Sequence, residues 1–163
     1  MPFAVYDSPL GRILLESDGN SLTGLWLERE VPGKERWDLV LERAAFWLDD
    51  YFRGRCREID FPLNPKGTAF QKLVWQLLLE IPWGAGATYG DLARETAKRM
   101  GKEKMSAQAV GQAVGANPLA ILIPCHRCVA AGGKLGGYAY GADKKRWLLE
   151  HERKNDHAVC ENP

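Results

Sequence analysis

The sequence lacks the features of membrane proteins and of secreted proteins. None of its apolar runs approaches the roughly 18 residues that a membrane-spanning helix needs. The N-terminal segment MPFAVYDSPLGR has no basic stretch leading into an apolar one, so it does not resemble a secretory signal. We therefore expect a cytoplasmic protein that does not bind membranes.

Cysteine is scarce, with four residues in a chain of 163: Cys56, Cys125, Cys128 and Cys160. The hydrophobic fraction of 45% provides enough apolar material for a core without covalent crosslinks. In a cytosolic chain of this size, cysteines are usually reduced, metal-bound or reactive rather than part of a disulfide framework. The four cysteines are therefore expected to form no disulfide bonds.

A large net charge is also absent, but the charges are unevenly distributed around a total of +1. Residues 1–63 carry 8 Lys/Arg and 12 Asp/Glu, whereas residues 64–154 carry 14 Lys/Arg and 7 Asp/Glu. A polyanion would therefore be attracted to the C-terminal part. The same asymmetry also fits a solvated basic face that binds nothing.

Short strands and one helix are predicted in a first domain, residues 1–63. The stretches FAVY, ILLES and SLTGLWLE alternate with the turns DSPLG and DGN, which predicts strands within residues 3–27. Residues 35–52 carry apolar side chains from Trp37 to Tyr51 at three- and four-residue steps, which predicts an amphipathic helix. The irregular stretch RGRCREIDFPLNPKG then predicts a linker near residue 63.

A second domain, residues 64–154, is predicted to be mainly helical. Thr68 with Gln71, and Thr88 with Asp91, form capping-box patterns that open two helices. The segment SAQAVGQAVGANP predicts a third, short helix, and the second and third helices together resemble a helix-turn-helix unit.

The rest of this domain is predicted to contain little regular structure before a final helix. ILIP is expected to form a brief buried strand or extended segment, followed by a glycine-rich loop. The last helix is expected at about residues 143–153. Residues 155–163 are expected to be a disordered tail.

Cys125 and His126 are adjacent in ILIPCHRCVA, directly after an apolar run. Cysteine reacts as the thiolate, and a histidine oriented by a carboxylate is a standard way of activating a thiol. Glu150 and Glu152 are candidates for that carboxylate. In an extended segment, adjacent side chains point to opposite faces, so proton transfer requires a bend or a bridging water. An inert buried cysteine is the alternative.

An ordered series of motifs resembles one protein family. GTAFQKLVW, ATYGDLA, AVGQAVGANP, ILIPCHR, GGY and WLLEHE follow one another between Gly67 and Glu152. This series is similar to the O6-alkylguanine-DNA alkyltransferases, and YDSPLGRILLESDG resembles the start of their bacterial members. The resemblance implies an α/β fold. It has a ribonuclease-H-like N-terminal domain with a small antiparallel sheet, and a helical C-terminal domain with a winged helix-turn-helix.

The resemblance also implies the reaction and its machinery. An alkyl group passes directly and stoichiometrically from O6-alkylguanine in double-stranded DNA to Cys125, without cofactor or metal, after the nucleotide is flipped out. His126 acts through water as the general base, and Glu152 orients it. Asn117 stiffens the turn beneath the site. Tyr89 helps rotate the nucleotide and donates a proton toward the departing guanine.

The base pocket is the next part of the site that the resemblance implies. Backbone groups of Cys128 and Ala139 line it together with the backbone of the acceptor cysteine, and Tyr138 forms a wall. Ala120 and Tyr140 are expected at its edges, where they would affect which alkyl groups are accepted. The protein is expected to act as a monomer.

Contact with the DNA minor groove is expected from Ser106, Ala107, Gln108, Ala109, Gly111 and Arg127. The small residues of this helix suit close approach to the groove, although tight helix packing explains them equally well. Arg127 is expected to make structural hydrogen bonds, with phosphate contact as a lesser role. Gln108 stands where many relatives carry an arginine that fills the gap left by the flipped nucleotide. We therefore expect weaker DNA binding or slower flipping.

Cys128 departs from the family pattern, in which an apolar residue is usual. The CxxC spacing with Cys125 invites a zinc or redox interpretation, but zinc needs about four ligands and no partner pair is apparent. A small apolar filler is the simplest interpretation. A disulfide that silences repair under oxidation is a further hypothesis.

Two other functions fit parts of the sequence. A non-catalytic alkyltransferase-like protein would bind the lesion without chemistry, but such proteins replace the acceptor cysteine, which is present here as Cys125. A helix-turn-helix regulator would not need the adjacent Cys-His pair or Glu152. Alkyl transfer is therefore the function that we expect.

Overall fold

A computed structural model of the chain describes residues 1–156 and 160, and these residues form two compact units. The first contains Met1–Lys66, Pro118–Ala120 and the described residues after Lys154, and the second contains Gly67–Asn117 and Ile121–Lys154. The expected mixed α/β class with a small antiparallel sheet is confirmed. No helix in the described residues is long and apolar enough to span a membrane.

The first unit is built on a three-stranded antiparallel sheet. Its strands β1 (Phe3–Ser8), β2 (Gly11–Ser17) and β3 (Leu22–Trp26) are neighbours in chain order, as predicted. Ile13 and Leu15 of β2 are completely buried, and Leu14, which points to the other face, is also buried. The chain returns to this unit at residues 118–120, where the backbone of β3 is hydrogen-bonded to them.

The helix of the first unit, α1 (Leu39–Phe52), begins four residues later than predicted. Asp38 is its N-cap, and its side chain accepts a hydrogen bond from the Leu41 amide. Trp37 therefore precedes the helix and is 42% exposed, so the prediction that it belongs to the apolar stripe is wrong. The helix begins directly after its N-cap Asp38, whereas the apolar periodicity alone extended the predicted helix back to residue 35.

The second unit contains four helices and one short pair of strands among the described residues. The helices are α2 (Ala69–Leu79), α3 (Tyr89–Arg99), α4 (Ala107–Gly115) and α5 (Ala142–Lys154). Both predicted capping boxes are present, at the N-termini of α2 and α3. Helices α2, α3 and α4 pack against one another, and β4 (Ala87–Thr88) pairs in parallel with β5 (Cys128–Val129).

The segment ILIP is not extended, so the strand expected there is wrong. Residues 120–123 form turns and are nearly inaccessible, and Ile121 has φ 71°. A β-branched residue in this left-handed region is a genuine outlier. The apolar run correctly indicated burial, but it carried no information about backbone conformation.

The expectation that no cysteine forms a disulfide is also wrong. Cys56 and Cys160 are bonded, with their Cα atoms 4.6 Å apart although they are separated by 104 positions in sequence. No local pattern relates two residues so distant in the chain. The disordered tail was predicted for residues 155–163, of which 157–159 and 161–163 lie outside the described residues.

Candidate active site

Cys125 begins a short 3₁₀ turn, Cys125–Arg127, which follows Pro124. The Cys125 amide donates to the Ile123 carbonyl at 2.7 Å, and the Cys128 amide donates to the Cys125 carbonyl. The turn supplies the bend that the adjacent Cys125 and His126 require. Cys125 is 7% exposed and His126 is fully buried.

His126 and Arg127 both bind one carboxylate. His126 Nε2 lies 2.5 Å from Glu152 Oε2, and Arg127 Nε donates to Glu152 Oε1 at 2.7 Å. Arg127 Nη1 also donates to the Ile81 carbonyl at 2.6 Å. Glu152 is 1% exposed, whereas Glu150 is exposed on the opposite side of α5. The carboxylate beside the histidine is therefore Glu152.

Protonation of this network follows from its burial and its charges. Burial alone would raise the pKa of Glu152, but the adjoining His126 and Arg127 outweigh it and hold the pKa at about 2. Burial lowers the pKa of His126, against the attraction of Glu152. A neutral His126 that donates Nε2–H to the carboxylate leaves a lone pair on Nδ1. That Nδ1 is buried and has no hydrogen-bond partner among the described residues.

The Cys125 thiol lies in a mixed environment. Burial raises its pKa, while a hydrogen bond from Asn117, the charge of Lys145 and nearby backbone amides act in the opposite direction. Asn117 Nδ2 also donates to the Ile123 carbonyl at 2.8 Å, so one amide supports both the turn and the sulfur. The thiol is thus buried, but groups that favour its ionised form surround it.

Cys125 opens onto a cavity of about 250 Å³. Its lining residues are Tyr89, Gly111, Val114, Gly115, Asn117, Cys125, Gly137, Tyr138, Ala139 and Tyr140. The Tyr138 hydroxyl is buried and has no hydrogen-bond partner among the described residues. Burial and the neighbouring thiols raise the pKa of Tyr89, which keeps its hydroxyl protonated as a donor. The cavity therefore combines aromatic walls with polar atoms near the sulfur.

Lys145 belongs to this site but was missed in the sequence. It is fully buried, and its Nζ donates to the carbonyls of Cys128 at 2.5 Å and Gly137 at 2.9 Å. These bonds join the segment that follows the Cys125–Arg127 turn to the loop that carries the cavity wall. A signal was available, because Lys145, Leu148 and Glu152 are spaced to share one face of a helix.

The predicted DNA-contacting residues occupy different environments. Ser106 is the N-cap of α4, and Ala107 and Gln108 are exposed beside it, with Ala109 half-buried. Gly111 lines the cavity instead. The first turn of α4 is therefore open to a partner.

Two other predicted residues are less accessible than expected. Arg127 makes the structural hydrogen bonds expected of it, and only 11% of its side chain is exposed. Ala120, expected at the pocket edge, is fully buried and does not line the cavity. Tyr140, the other expected edge residue, does line it.

Among residues 1–156 and 160, no cluster of three or more His, Cys, Asp or Glu side chains is arranged to hold a metal ion. The predicted absence of a metal remains a prediction.

Comparison with known proteins accounts for both units. Residues 69–154 match the 6-O-methylguanine DNA methyltransferase DNA-binding domain, and residues 1–65 match the ribonuclease-like domain of the same family. The chain belongs to the 6-O-methylguanine DNA methyltransferase family. The resemblance seen in the sequence is thereby confirmed.

Relatives and solved structures agree with the assignment to the 6-O-methylguanine DNA methyltransferase family. A methylated-DNA–protein-cysteine methyltransferase from Methanosarcina acetivorans is 40% identical over 158 residues, covering 93% of this chain and 98% of the relative. The crystal structure of Mycobacterium tuberculosis OGT in complex with DNA has a TM-score of 0.79 and 38% identity, covering 95% of this chain and 94% of that one. An O6-methylguanine DNA methyltransferase from Methanococcus jannaschii has a TM-score of 0.66 and 33% identity, covering 98% and 99%.

Proposed function

We propose that this chain repairs DNA by transferring the alkyl group of O6-alkylguanine to Cys125, once per protein molecule. The observation that carries the assignment to this cysteine is its position on an aromatic-walled cavity, directly before a buried His126–Glu152 pair. Cys128 is fully buried and does not line the cavity, and Cys56 and Cys160 are bonded to each other. The activity agrees with the name carried by the relatives.

The reaction begins with removal of the thiol proton. His126 Nδ1 accepts it through a bridging water, while Glu152 fixes the tautomer and orients the ring. The sulfur then attacks the alkyl carbon in line, so that the S–C bond forms as the C–O6 bond breaks. Tyr89 donates a proton toward the departing guanine, which leaves as a neutral base, and the proton held by His126 replaces that of Tyr89 through solvent. The thioether is stable, so the protein is consumed.

The cavity receives the flipped nucleotide. An alkyl carbon inside a duplex is out of reach, and flipping costs a few kcal/mol, less for a weakened base pair. Tyr138 and Tyr140 wall the cavity in edge-to-face contact, with ring centroids 5.7 Å apart. The buried Tyr138 hydroxyl offers a hydrogen bond to a polar edge of the base. The backbone of Ala139 completes the pocket, whereas Cys128, whose backbone was also expected there, does not line the cavity.

The DNA surface is formed by the start of α4 and enters the minor groove. Ser106, Ala107 and Gln108 are exposed there, and Ala109 lies beside them. The small size of Ser106, Ala107 and Ala109 permits close approach to the groove. The excess of Lys/Arg over Asp/Glu within residues 64–154 attracts the phosphates. Gln108 takes the place of the flipped nucleotide. The protein acts as a cytoplasmic monomer.

Mass spectrometry with O6-methylguanine duplex DNA tests this proposal. Each protein molecule should gain one CH₂ unit, located in the tryptic peptide that ends at Arg127 and contains Cys125. Cys128 begins the next peptide, so the two thiols are distinguished directly. Cys125→Ser should abolish the gain, whereas in Cys128→Ser the label should stay on Cys125 whatever the rate. Binding without a mass change would instead support a non-catalytic lesion-binding protein.

A further inference from the structure

Cys128 is a second free thiol beside the acceptor cysteine. Cys125 and Cys128 are the two free cysteines of the described residues. The alkyl-transfer mechanism gives the sulfur of Cys128 no role.

The acceptor turn brings the two cysteines together. The Cys128 amide donates to the Cys125 carbonyl, which closes a four-residue turn. Such turns place the first and last Cα atoms within about 7 Å, which overlaps the range of about 4.4–6.8 Å found in disulfides. Cys128 follows the 3₁₀ turn directly, as the first residue of β5, and the hydrogen bond holds the two backbones close together.

The surroundings of the pair also support their proximity. The charge of Cys125 raises the pKa of Cys128, and Lys145 favours the ionised form of both thiols. The Tyr89 hydroxyl contacts the Cys128 sulfur, and the charge of Cys125 helps to raise the pKa of that hydroxyl. Cys128 is fully buried, whereas Cys125 lines the cavity. An oxidant entering the cavity therefore meets Cys125 first.

We propose that Cys125 and Cys128 form a reversible disulfide when a hydroperoxide enters the base cavity. This modification removes the alkyl acceptor and shields it from irreversible oxidation. Formation of the bond does not depend on the proposed alkyl transfer, although its effect on repair does. A protein whose Cys125 already carries an alkyl group has no sulfur left to pair.

The chemistry is balanced in two steps. The Cys125 thiolate attacks the peroxide, the O–O bond breaks, and a sulfenic acid and an alcohol or water form. The Cys128 sulfur then attacks the Cys125 sulfur, and the S–S bond forms as the S–O bond breaks with release of water. The two thiols lose two electrons and two protons in total, and the hydroperoxide is the oxidant. A dithiol such as dithiothreitol reverses the process by thiol–disulfide exchange.

Trypsin provides a direct test, because it cleaves between Arg127 and Cys128. The reduced protein is treated with a small excess of hydrogen peroxide, blocked with N-ethylmaleimide under denaturing conditions, and digested without reductant. We expect peptide 105–127 to remain linked to peptide 128–134, with a mass two hydrogens below their sum. The loss of alkyl transfer should parallel this link, and dithiothreitol should reverse both. The bond between Cys56 and Cys160 appears in other peptides and does not interfere.

Cys128→Ala and Cys128→Val are the matched variants, each compared with its own reduced activity. Without the second thiol, oxidised Cys125 should advance to the sulfinic acid, so most of the lost activity should not return with dithiothreitol. The protein methylated beforehand by lesion DNA should form no link. The proposal is overturned if the wild-type protein yields sulfinic Cys125 without the link, or if its Cys125 stays reduced. If dithiothreitol restores the same fraction of alkyl-transfer activity in the wild-type protein and in Cys128→Ala, the protective role of Cys128 is overturned.

Discussion

Replacing Lys145 with methionine removes the buried ammonium that joins the Cys128 and Gly137 carbonyls. Methionine keeps most of the apolar side-chain volume, so the change isolates the charge and its hydrogen bonds. Each hydrogen bond to a charged group contributes about 1.5–3 kcal/mol, and the two give about 3–6 kcal/mol. Avoiding burial of a charge offsets part of this loss. We expect the free energy of unfolding to fall by about 2–4 kcal/mol.

The same substitution should also change the pKa of the Cys125 thiol. Lys145 is one of the groups that lower the pKa of Cys125, so its removal should raise that pKa. The single-turnover rate of alkyl transfer should then rise with pH over a higher range than in the wild-type protein. A purely structural lysine would reduce stability without moving this profile.

Urea unfolding and rate–pH profiles measure the two effects. Lys144→Met is the matched control, because Lys144 is the adjacent residue on α5 and is only half-buried. The control should change stability by no more than about 0.5 kcal/mol. If Lys145→Met unfolds like the control and keeps the wild-type pH profile, the ammonium neither holds the pocket nor assists the thiol.

Three other perturbations address the neighbouring parts of the site. Gln108→Arg should strengthen binding to duplex DNA and steepen its salt dependence in a fluorescence titration, and an unchanged affinity would contradict the role of Gln108 in the gap. Tyr138→Phe should change the free energy of unfolding by no more than about 0.5 kcal/mol, because the hydroxyl has no hydrogen-bond partner within the described residues. The same variant should slow alkyl transfer in a single-turnover assay, and an unchanged rate would show that the hydroxyl does not contact the base. Acid should lower the urea midpoint of unfolding in two stages. Below about pH 6.5 this histidine binds a proton in the unfolded chain, whereas the buried His126 of the folded protein resists it, so stability falls. Below about pH 4.5 the stability contributed by ionised Glu152 is lost as the pH approaches its folded pKa of about 2. Glu152→Gln should remove the second stage, and an unaltered acid limb would refute this assignment.

Local signals made much of the second unit predictable. The capping boxes at Thr68 and Thr88 fix helix starts through side chains only three residues from their partners, and both helices begin where expected. The motif series also identified the family, and with it the turn that carries the proposed acceptor Cys125. These features depend on residues that are close in sequence.

Features that depend on distant residues were not predictable. The bond between Cys56 and Cys160 joins positions 104 residues apart. Helical spacing places Lys145 on the face of α5 that carries Glu152, but that spacing does not indicate the two backbone carbonyls that it binds in other segments, and lysines on a helix are usually solvated. The return of the chain to the first unit at residues 118–120 likewise depends on pairing with β3. None of these partners is indicated by composition or periodicity.

The left-handed conformation of Ile121 makes the turn that carries Cys125 dependent on a residue that does not line the cavity. A conformation of this kind costs about 1–3 kcal/mol, which is comparable to the 1.5–3 kcal/mol gained by burying one large aliphatic side chain. Ile121 is 1% exposed, so its packing offsets the unfavourable backbone that precedes Pro124. A smaller residue such as alanine would keep the conformational cost and lose the compensating burial. The precision with which this protein places its sulfur thus depends partly on ordinary hydrophobic packing four residues earlier in the chain.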